Sequence, residues 1–309
     1  MRNIKIISVI IAFVDNDKKY LKQCLISLEK AARYARINLE YILIANGTNI
    51  SDINYLNSPV NVIKSNKNLG FGQAINLGVK NAIGEWCLLS CPDVMTDRSC
   101  LKNIFNGISN KNLAVIGPRV LLSDGSFQYS ILPFPTLRQI FLEQSYLYKL
   151  FPRMFKSPLS DKAQYSKITY ADAVAGIWWL FKKSAFEKAG GFDERFFLYF
   201  EDVELCQRLK QKGSKIAFNP NSQVRHLLHK STGGEASGLL YYRSLHNYLT
   251  KYHGSVYIFL TLVVFIIGTL SRIFFWSFMF AVQYNDKSKN ISLKKIKFCY
   301  DLIKTCLVK

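Results

Sequence analysis

Acidic residues at two breaks in the chain are the side chains of this sequence best placed to do chemistry. Asp93 follows the strand-like run Glu85–Ser90 and a proline, and the adjacent acids Glu201 and Asp202 open a helical pattern that ends at Gly213. A carboxylate at the end of a strand can coordinate a hard divalent cation and hold a diphosphate against it. A carboxylate beside an apolar wall has a raised pKa and is a better base. Together the acids predict an enzyme that binds a metal and removes a proton.

Each acid also has a purely structural interpretation. Pro92-Asp93 is a common turn, and one carboxylate of Glu201-Asp202 could cap its helix and complement the helix dipole. A helix start does not need both acids, nor the aromatic run Phe196–Phe200 in front of them. His226, which follows a predicted strand, is a candidate third ligand for a metal held by Asp93.

A glycine-rich loop could bring an anion close to the backbone. Asn68–Gly72 has the sequence NLGFG and leads into a helical pattern that bears Asn76. Glycine lets the backbone approach a ligand closely, and the amides at a helix N-terminus favour anions. Taken alone, such a loop is weak evidence for a phosphate site.

The segments that would position these residues alternate between strand and helix patterns. Apolar runs predict strands, and apolar residues at helical spacing predict helices. The predicted strands are Ile4–Val14, Tyr41–Ala45, Val60–Lys64 and Glu85–Ser90, and the first two predicted helices are Lys18–Ala35 and Phe71–Ala82. This alternation predicts an α/β fold with a mostly parallel central sheet flanked by helices. Ligands of such sheets lie beyond the carboxyl ends of the strands, so the turns at 14–17, 46–48, 66–72 and 91–94 should converge on one crevice.

The charge and the cysteines limit the partners of the protein. The 309 residues include 41 basic and 21 acidic side chains, a formal charge of +20 that favours an anionic partner. The basic residues are dispersed and no nucleic-acid-binding motif is present, so we expect no nucleic-acid partner. The seven cysteines are odd in number and include no C-x-x-C, so neither a zinc site nor a disulfide framework is indicated.

The C-terminal segment differs in composition from the rest of the chain. Ser255–Val282 is apolar apart from Arg272 and would form a helix of about 40 Å. Three interpretations stay open, namely a membrane-embedded or interfacial segment, a helix or hairpin buried on the catalytic domain, and an oligomer contact. The tail from Ser288 has a basic amphipathic pattern that suits an anionic membrane surface, although a solvated helix face has the same pattern. We therefore predict a catalytic domain over residues 1–252 and a membrane-associated segment over 253–309.

Four segments follow one another in an order that points to a family: SVIIAF, NKNLGFGQAINLGVKNAIGEWCLLSCPDV, GPRVLLSDGSFQYS and AGGFDERFFLYFEDVELCQRLKQKG. Over about residues 6 to 252 the chain resembles the family 2 glycosyltransferases, inverting enzymes with a GT-A type nucleotide-sugar-binding fold. The resemblance is closest to the bacterial rhamnosyltransferase-like branch, which builds surface polysaccharides.

The resemblance implies a role for individual residues. Asp93 falls on the acid that holds a metal, Mg²⁺ or Mn²⁺, and the sugar diphosphate, and His226 falls on a position that can complete that site. Asp202 falls on the catalytic base, with Glu201 beside it in support of the acceptor. The positions assigned to nucleotide-sugar binding are Phe13, Asn46, Asn68, Gly70, Asn76, Asp93, Gly176 and Trp178, the last as a wall against which the sugar stacks.

Three positions depart from the family pattern. The second strand ends in Ala45-Asn46 where the family usually has Asp-Asn, so the identity of the nucleotide base stays open. The first strand ends in Phe13-Val14 where the family has Tyr-Asn. Cys91 stands where Asn or Asp is common, which leaves Asp93 as the metal-binding acid and predicts a weak metal dependence.

The function that the resemblance implies is transfer of a sugar, rhamnose favoured, from a nucleotide diphosphate donor to a saccharide acceptor. The acceptor would be lipid-linked, the pathway would make O-antigen or capsule, and the location would be the cytoplasmic face of the bacterial inner membrane. Galactofuranosyl, galactosyl or N-acetylhexosaminyl transfer is the alternative within the enzyme class. A non-catalytic membrane scaffold with a nucleotide-sugar fold is the alternative outside it.

Overall fold

A computed structural model provides the structure of the protein and describes residues 6–50, 53, 55–108, 110–144, 165–227 and 235–307. Contacts between the residues divide the chain into two compact units. The first comprises Met1–Phe134 and Asp161–Ser231, and the second comprises Pro135–Ser160 and Thr232–Lys309. That residues 1–252 form the catalytic domain stays a prediction.

The strands lie in the first unit. They are β1 Ile7–Phe13, β2 Leu39–Asn46, β3 Val60–Ser65, β4 Trp86–Ser90, β5 Val94–Thr96, β6 Leu113–Leu122, β7 Phe127–Gln128, β8 Ile131–Leu132, β9 Thr169–Ala171, β10 Ala173–Val174, β11 Trp178–Lys182 and β12 Lys215–His226. The main sheet has the order β3-β2-β1-β4-β11-β6-β12-β5, with β7 paired to β6 and β9 to β12, and β8 and β10 form a separate small sheet.

Helices flank the sheet and make up the described part of the second unit. In the first unit they are α1 Lys18–Ala35, α2 Phe71–Lys80, α3 Cys100–Asn106, α5 Lys183–Ala189 and α6 Glu201–Gln211, with a short 3₁₀ turn at Asp15–Asp17. In the second unit they are α4 Leu137–Gln144, α7 Glu235–Tyr252, α8 Ser255–Val282 and α9 Asp286–Leu307.

The predicted α/β layer is confirmed, and its first half follows directly from the apolar pattern. Helix α1 has the predicted bounds and buries Leu21, Leu25 and Leu28, each at most 2% exposed, because they recur at helical spacing. Strands β1, β2, β3 and β4 are parallel neighbours, as the strand–helix alternation predicts. Their carboxyl ends therefore lie at one edge of the sheet.

The second half of the sheet is mixed. Strand β11 pairs antiparallel with both β4 and β6, β12 is parallel to β6, and β5 is antiparallel to β12. The pairing of β11 with β4 sets Trp178 opposite Ser90, and the pairing of β12 with β5 sets His226 opposite Val94. These two pairings bring distant parts of the chain to the turn that follows β4.

The second unit contains the predicted apolar helix with the predicted bounds, Ser255–Val282. Among the described residues it is the one helix long and apolar enough to cross a membrane, which by itself is weak evidence that it does so. The basic tail is also helical, over Asp286–Leu307.

Candidate active site

The turns that follow the parallel strands are in contact, as predicted. Thr48, after β2, donates a hydrogen bond to the carboxylate of Asp15, after β1. The Nδ2 of Asn46 donates to Asn68 Oδ1 at 3.0 Å, and its Oδ1 accepts from the backbone of Leu69 at 2.7 Å. The ends of β1, β2 and β3 thus line one crevice.

Asp93 is buried at this edge and faces His226. Its side chain is held there because β5 starts at the next residue and pairs with the end of β12. The Asp93 Oδ1 lies 3.3 Å from His226 Nε2, and the other ring nitrogen of His226 lies 2.9 Å from Gln128 Oε1. The predicted proximity of Asp93 and His226 is present, and Gln128 is a partner that sequence reasoning missed.

The Asp93–His226 pair offers donor atoms that suit a divalent cation. The Nε2 of His226 and the carboxylate of Asp93 face each other, and carboxylate and imidazole together are ligands that Mn²⁺ accepts. Among the residues that the structure describes, no group of three His, Cys, Asp or Glu side chains could hold a metal ion. A cation here would therefore need further ligands from the diphosphate and from water.

A second buried acid near Asp93 is Asp17, which was not among the predicted site residues. Asp17 is 9% exposed, and its Oδ2 accepts a hydrogen bond of 3.0 Å from the backbone of Val14. Its pKa is raised by burial and, more weakly, by the charge of Asp93. The signal was present in the sequence, since Asp15 and Asp17 directly follow an apolar strand.

Asp202 is fixed beside the same turn by a glycine. Its Oδ2 accepts from the backbone nitrogen of Gly176 at 2.8 Å, and its Oδ1 accepts from that of Val203 at 2.8 Å. A Cβ on Gly176 would lie 3.2 Å from the Cβ of Asp202, so position 176 leaves little room for a side chain. The next residue, Ile177, accepts a backbone hydrogen bond of 2.9 Å from Cys91. The antiparallel pairing of β11 with β4 therefore brings Asp202 to the turn that carries Asp93.

Glu201 and Asp202 have raised pKa values for a shared reason. Burial raises the pKa of Glu201 well above its usual range, and the charge of Asp202 raises it further. Burial also raises the pKa of Asp202, against the effect of the hydrogen bonds from Gly176 and Val203. The Oε2 of Glu201 is buried and has no hydrogen-bond partner in the described part of the chain. Asp202 thus has two backbone donors that oppose the effect of burial on its pKa, and the Oε2 of Glu201 has none in the described part of the chain.

The backbone ahead of these acids is strained. Tyr199 and Phe200 have φ angles of 69° and 65°, in the left-handed region that residues other than glycine seldom occupy. Such residues often mark functional sites, because the surrounding structure must hold them there. Of the predicted aromatic wall, Phe196 and Phe200 are buried, and Phe197 is 43% exposed.

The glycine-rich loop contacts this aromatic segment. Gly70 has φ 79°, and a Cβ there would come within 2.4 Å of the carbonyl oxygen of Phe197. The same oxygen accepts a backbone hydrogen bond of 2.9 Å from Phe71. Asn68 stabilises the loop by accepting from the backbone of Gly70 at 2.9 Å. The loop therefore connects the strand edge to the segment that carries Glu201 and Asp202.

Three residues assigned to nucleotide-sugar contacts have other positions. Trp178 is 0% exposed and donates from Nε1 to Thr96 at 3.1 Å, so the interpretation of its ring as a wall against the sugar is wrong. Asn76 donates from Nδ2 to the backbone oxygen of Phe192 and accepts at Oδ1 from the backbone nitrogen of Phe192, at 2.8 Å each. Its side chain therefore stabilises the loop at Phe192, which corrects the prediction that it contacts the nucleotide. The Phe13 ring is 1% exposed and belongs to the core, so only its backbone can face a ligand.

A family model and several characterised relatives match the chain. The family described as "Glycosyl transferase family 2" matches residues 8–188, and that described as "N-terminal domain of galactosyltransferase" matches residues 159–230. The N-acetylglucosaminyl-diphospho-decaprenol L-rhamnosyltransferase of Mycobacterium tuberculosis is 26% identical over 217 residues, 65% of this chain and 66% of the relative. Rhamnosyltransferase WbbL of Escherichia coli K12 is 26% identical over 170 residues, 52% of this chain and 61% of the relative.

Solved structures share the fold. GalNAc-T7, solved with UDP, GalNAc and Mn²⁺, matches with a TM-score of 0.59 at 17% identity. The match covers 98% of this chain and 57% of the GalNAc-T7 chain. The mannosyltransferase PcManGT of Pyrobaculum calidifontis, solved with GDP-Man and Mn²⁺, matches with a TM-score of 0.58 at 11% identity. The match covers 98% of this chain and 87% of the PcManGT chain. At these identities the likeness shows the GT-A fold alone.

Proposed function

Because the chain belongs to glycosyl transferase family 2, we propose that it is an inverting glycosyltransferase that moves a sugar, with rhamnose favoured, from a nucleotide diphosphate donor to a saccharide acceptor. The observation that carries the proposal is the position of Asp202, which Gly176 holds beside the turn of Asp93. A base and a diphosphate-binding acid at one crevice are the two groups that a single displacement needs.

The reaction follows from these positions. Asp202 takes the proton of an acceptor hydroxyl as that oxygen attacks the anomeric carbon. The bond from the anomeric carbon to the diphosphate oxygen breaks on the opposite face, so the configuration inverts and the nucleotide diphosphate leaves. Asp93 and His226 would hold Mg²⁺ or Mn²⁺, and when bound the cation would supply neutralisation of the leaving diphosphate. Glu201, buried beside Asp202, would support the acceptor site by holding its neighbour in place.

The acceptor and the location are part of the proposal. The mycobacterial relative is named for a decaprenol-linked substrate, and the apolar helix α8 and basic helix α9 provide a means of attachment to lipid. We propose a lipid-linked saccharide acceptor at the cytoplasmic face of the bacterial inner membrane, in the synthesis of O-antigen or capsule. The match of residues 159–230 to a galactosyltransferase model favours galactosyl transfer as the second candidate.

The test is release of nucleotide diphosphate from a panel of donors that carry rhamnose, galactose, galactofuranose or N-acetylhexosamine, with and without Mn²⁺. Release from one donor, lost in Asp93→Ala, is the expected result and names the sugar. If no donor gives release, calorimetry of donor binding follows, and absence of binding to every donor as well would overturn the proposal.

A further inference from the structure

The apolar helix α8 has two different faces. Its buried residues are Thr261, Phe265, Gly268, Thr269 and Arg272. Its exposed large apolar residues, between 43% and 77% exposed, are Val256, Phe259, Leu260, Ile267, Leu270, Phe274, Phe275, Phe278 and Val282. Both sets recur at helical spacing, so they form two stripes on different sides of the helix. The exposed set, here called the outer stripe, runs the whole length of α8.

The inner face is fixed to other helices of the same unit by polar contacts. Arg272, the one charged residue of α8, donates from Nε to the backbone oxygen of Gln144 at 3.1 Å and from Nη1 to the hydroxyl of Tyr242 at 3.3 Å. A Cβ on Gly268 would lie 2.6 Å from the Cβ of Gln144, so α8 and α4 touch closely at that glycine. The single charge is therefore turned toward protein and away from the outer stripe.

Helix α9 runs back along α8. The ammonium of Lys289 lies 5.9 Å from the ring of Phe280 near the turn. Farther along, burial raises the pKa of the Cys299 thiol and the nearby charge of Arg272 lowers it. Helix α9 therefore runs antiparallel to α8, and its stretch from Lys289 to Cys299 passes residues 272–280, the C-terminal third of α8. The exposed lysines of that stretch are Lys294, Lys295 and Lys297, and the exposed Lys304 follows beyond Cys299, toward the middle of α8.

This register decides between crossing a membrane and lying on it. A helix of 28 residues is about 42 Å long, and the hydrocarbon core of a bilayer is about 30 Å thick. If α8 crossed the bilayer with its midpoint at the bilayer centre, these four lysines beside its C-terminal half would lie at the level of the hydrocarbon, where an ammonium is very unfavourable. Helices α4 and α7 would be carried in as well, with Arg138 and Arg243. A helix parallel to the membrane buries only its outer stripe and leaves the lysines at the headgroups.

We propose that α8 lies in the plane of the membrane interface, with its outer stripe in the lipid and the lysines of α9 on anionic headgroups, and does not span the bilayer. The partner is thus an anionic membrane surface, which the charge of α9 fits. The inference rests on the membrane attachment in the proposed function and specifies its geometry. It is independent of which sugar is transferred.

The first test measures how deep residues of α8 lie in the bilayer. Nitroxide labels are placed one at a time on cysteines substituted for Phe259, Ile267 and Phe278 in the full chain, which is then bound to vesicles of phosphatidylglycerol and phosphatidylcholine. The parent chain, labelled in parallel, gives the background of the native cysteines. Accessibility to oxygen and to a nickel chelate should place all three labels at one depth, about 5–10 Å below the surface. A label at Ile267 much deeper than the other two would overturn the proposal, because that is the profile of a crossing helix.

The second test uses matched aspartate substitutions. Phe274 is 77% exposed on the outer stripe, and Ile83 is 73% exposed in the first unit. Phe274→Asp should weaken vesicle binding at least tenfold and Ile83→Asp should leave it unchanged. Replacing Lys294, Lys295 and Lys297 by Gln should remove the preference for anionic over neutral vesicles. Equal binding by the parent and Phe274→Asp would overturn the proposal, as would burial of the stripe in a dimer without lipid.

Nucleotide diphosphate release in solution is measured separately. A chain that binds vesicles flat but releases no nucleotide would count against the transferase and leave the membrane geometry intact. A chain that releases nucleotide diphosphate but whose α8 crosses the bilayer would support the transferase and overturn the membrane geometry.

Discussion

At the scale of single residues, the two adjacent acids differ because their hydrogen-bond partners differ. Asp202 accepts from two backbone N–H groups, whereas the buried Oε2 of Glu201 has no partner in the described part of the chain. Hydrogen bonds to a carboxylate favour its charged form, and burial favours the neutral form. The two backbone donors favour the anion of Asp202, which is the form that the proposed base requires.

Asp202→Asn tests the assignment of the base. The amide oxygen can still accept one of the two N–H bonds, so the fold and donor binding should persist. Loss of a general base should lower the rate of sugar transfer by about 10² to 10⁴. Transfer is followed by nucleotide diphosphate release and donor binding by calorimetry, with Asp124→Asn in an exposed turn as control. A transfer rate within a factor of two of the parent would remove Asp202 from the mechanism.

Glu201→Gln tests the buried proton through stability. The folded-state pKa of Glu201 is raised, so its neutral form contributes stability at low pH that is lost as pH rises through that raised pKa. Glutamine cannot ionise and escapes this loss. The difference in Tm between Glu201→Gln and the parent should therefore become more positive from about pH 5 to pH 8. Thermal scans over this range measure it, and a difference independent of pH would mean that Glu201 is ionised throughout.

The individual site residues show what a sequence can predict. The positions of Asp93 in a turn and of Asp202 at a helix start were predictable, because a turn after a strand and a helix start are local features. The contacts of Trp178 and Asn76 were misassigned because the direction of a side chain depends on strand parity and on distant partners. Trp178 lies on β11, whose register against β4 turns the ring toward Thr96 in the core.

At the scale of elements, close packing of helix on sheet depends on small residues. Gly78 of α2 lies against the sheet, and a Cβ there would come within 2.4 Å of Ile10 Cγ2 and 2.9 Å of Ile44 Cδ1. Both isoleucines are buried in parallel strands, and their branched side chains have little freedom to move. Helix α2 therefore sits close to β1 and β2, which places the glycine-rich loop at the strand edge.

Gly78→Ala should destabilise the protein. Overpacking of a core costs about 1–3 kcal/mol, and the better helix propensity of alanine offsets up to about 1 kcal/mol of that. We expect a net loss of about 1–2 kcal/mol in the free energy of unfolding, measured by urea denaturation. Gly254→Ala is the control, because nothing lies within 4 Å of that position. A stabilised Gly78→Ala variant would show that α2 can shift away from the sheet.

The elements themselves were predictable to different degrees in the two halves of the sheet. Helix α1 and strands β1 to β4 follow from apolar periodicity, because they form from contiguous sequence and pair with parallel neighbours. Strand β5 has three residues and helix α3 seven, too few for a periodic signal. The antiparallel insertion of β11 depends on pairing with strands about 60 and 90 residues earlier in the chain, which a local pattern does not encode.

At the scale of the whole molecule, the charge of +20 and the outer stripe of α8 would both contribute to the proposed binding to an anionic membrane. Attraction between basic side chains and anionic lipid is screened by salt, since the Debye length falls from about 8 Å at 0.15 M to 3 Å at 1 M. Burial of apolar surface is not weakened in this way. The two contributions to membrane binding can thus be separated by ionic strength.

Binding to anionic vesicles should fall severalfold between about 0.15 M and 1 M NaCl but should not vanish. Co-sedimentation at a series of salt concentrations measures it, and the Phe274→Asp variant should lose the residual binding at high salt. Complete release of the parent chain at 1 M NaCl would mean that the outer stripe does not enter lipid.

The position of β11 has a consequence for the order in which the protein can be made. Strand β4 is complete at Ser90, but its neighbour on one side, β11, begins only at Trp178. At a synthesis rate of about 5–20 residues per second, the ribosome needs roughly ten seconds to supply that partner. During this interval the apolar strand WCLLS has an open edge, which is a template for pairing with other chains. Truncated chains that end between these two strands should therefore aggregate more readily than the full chain, because the edge of β4 on that side stays without a partner.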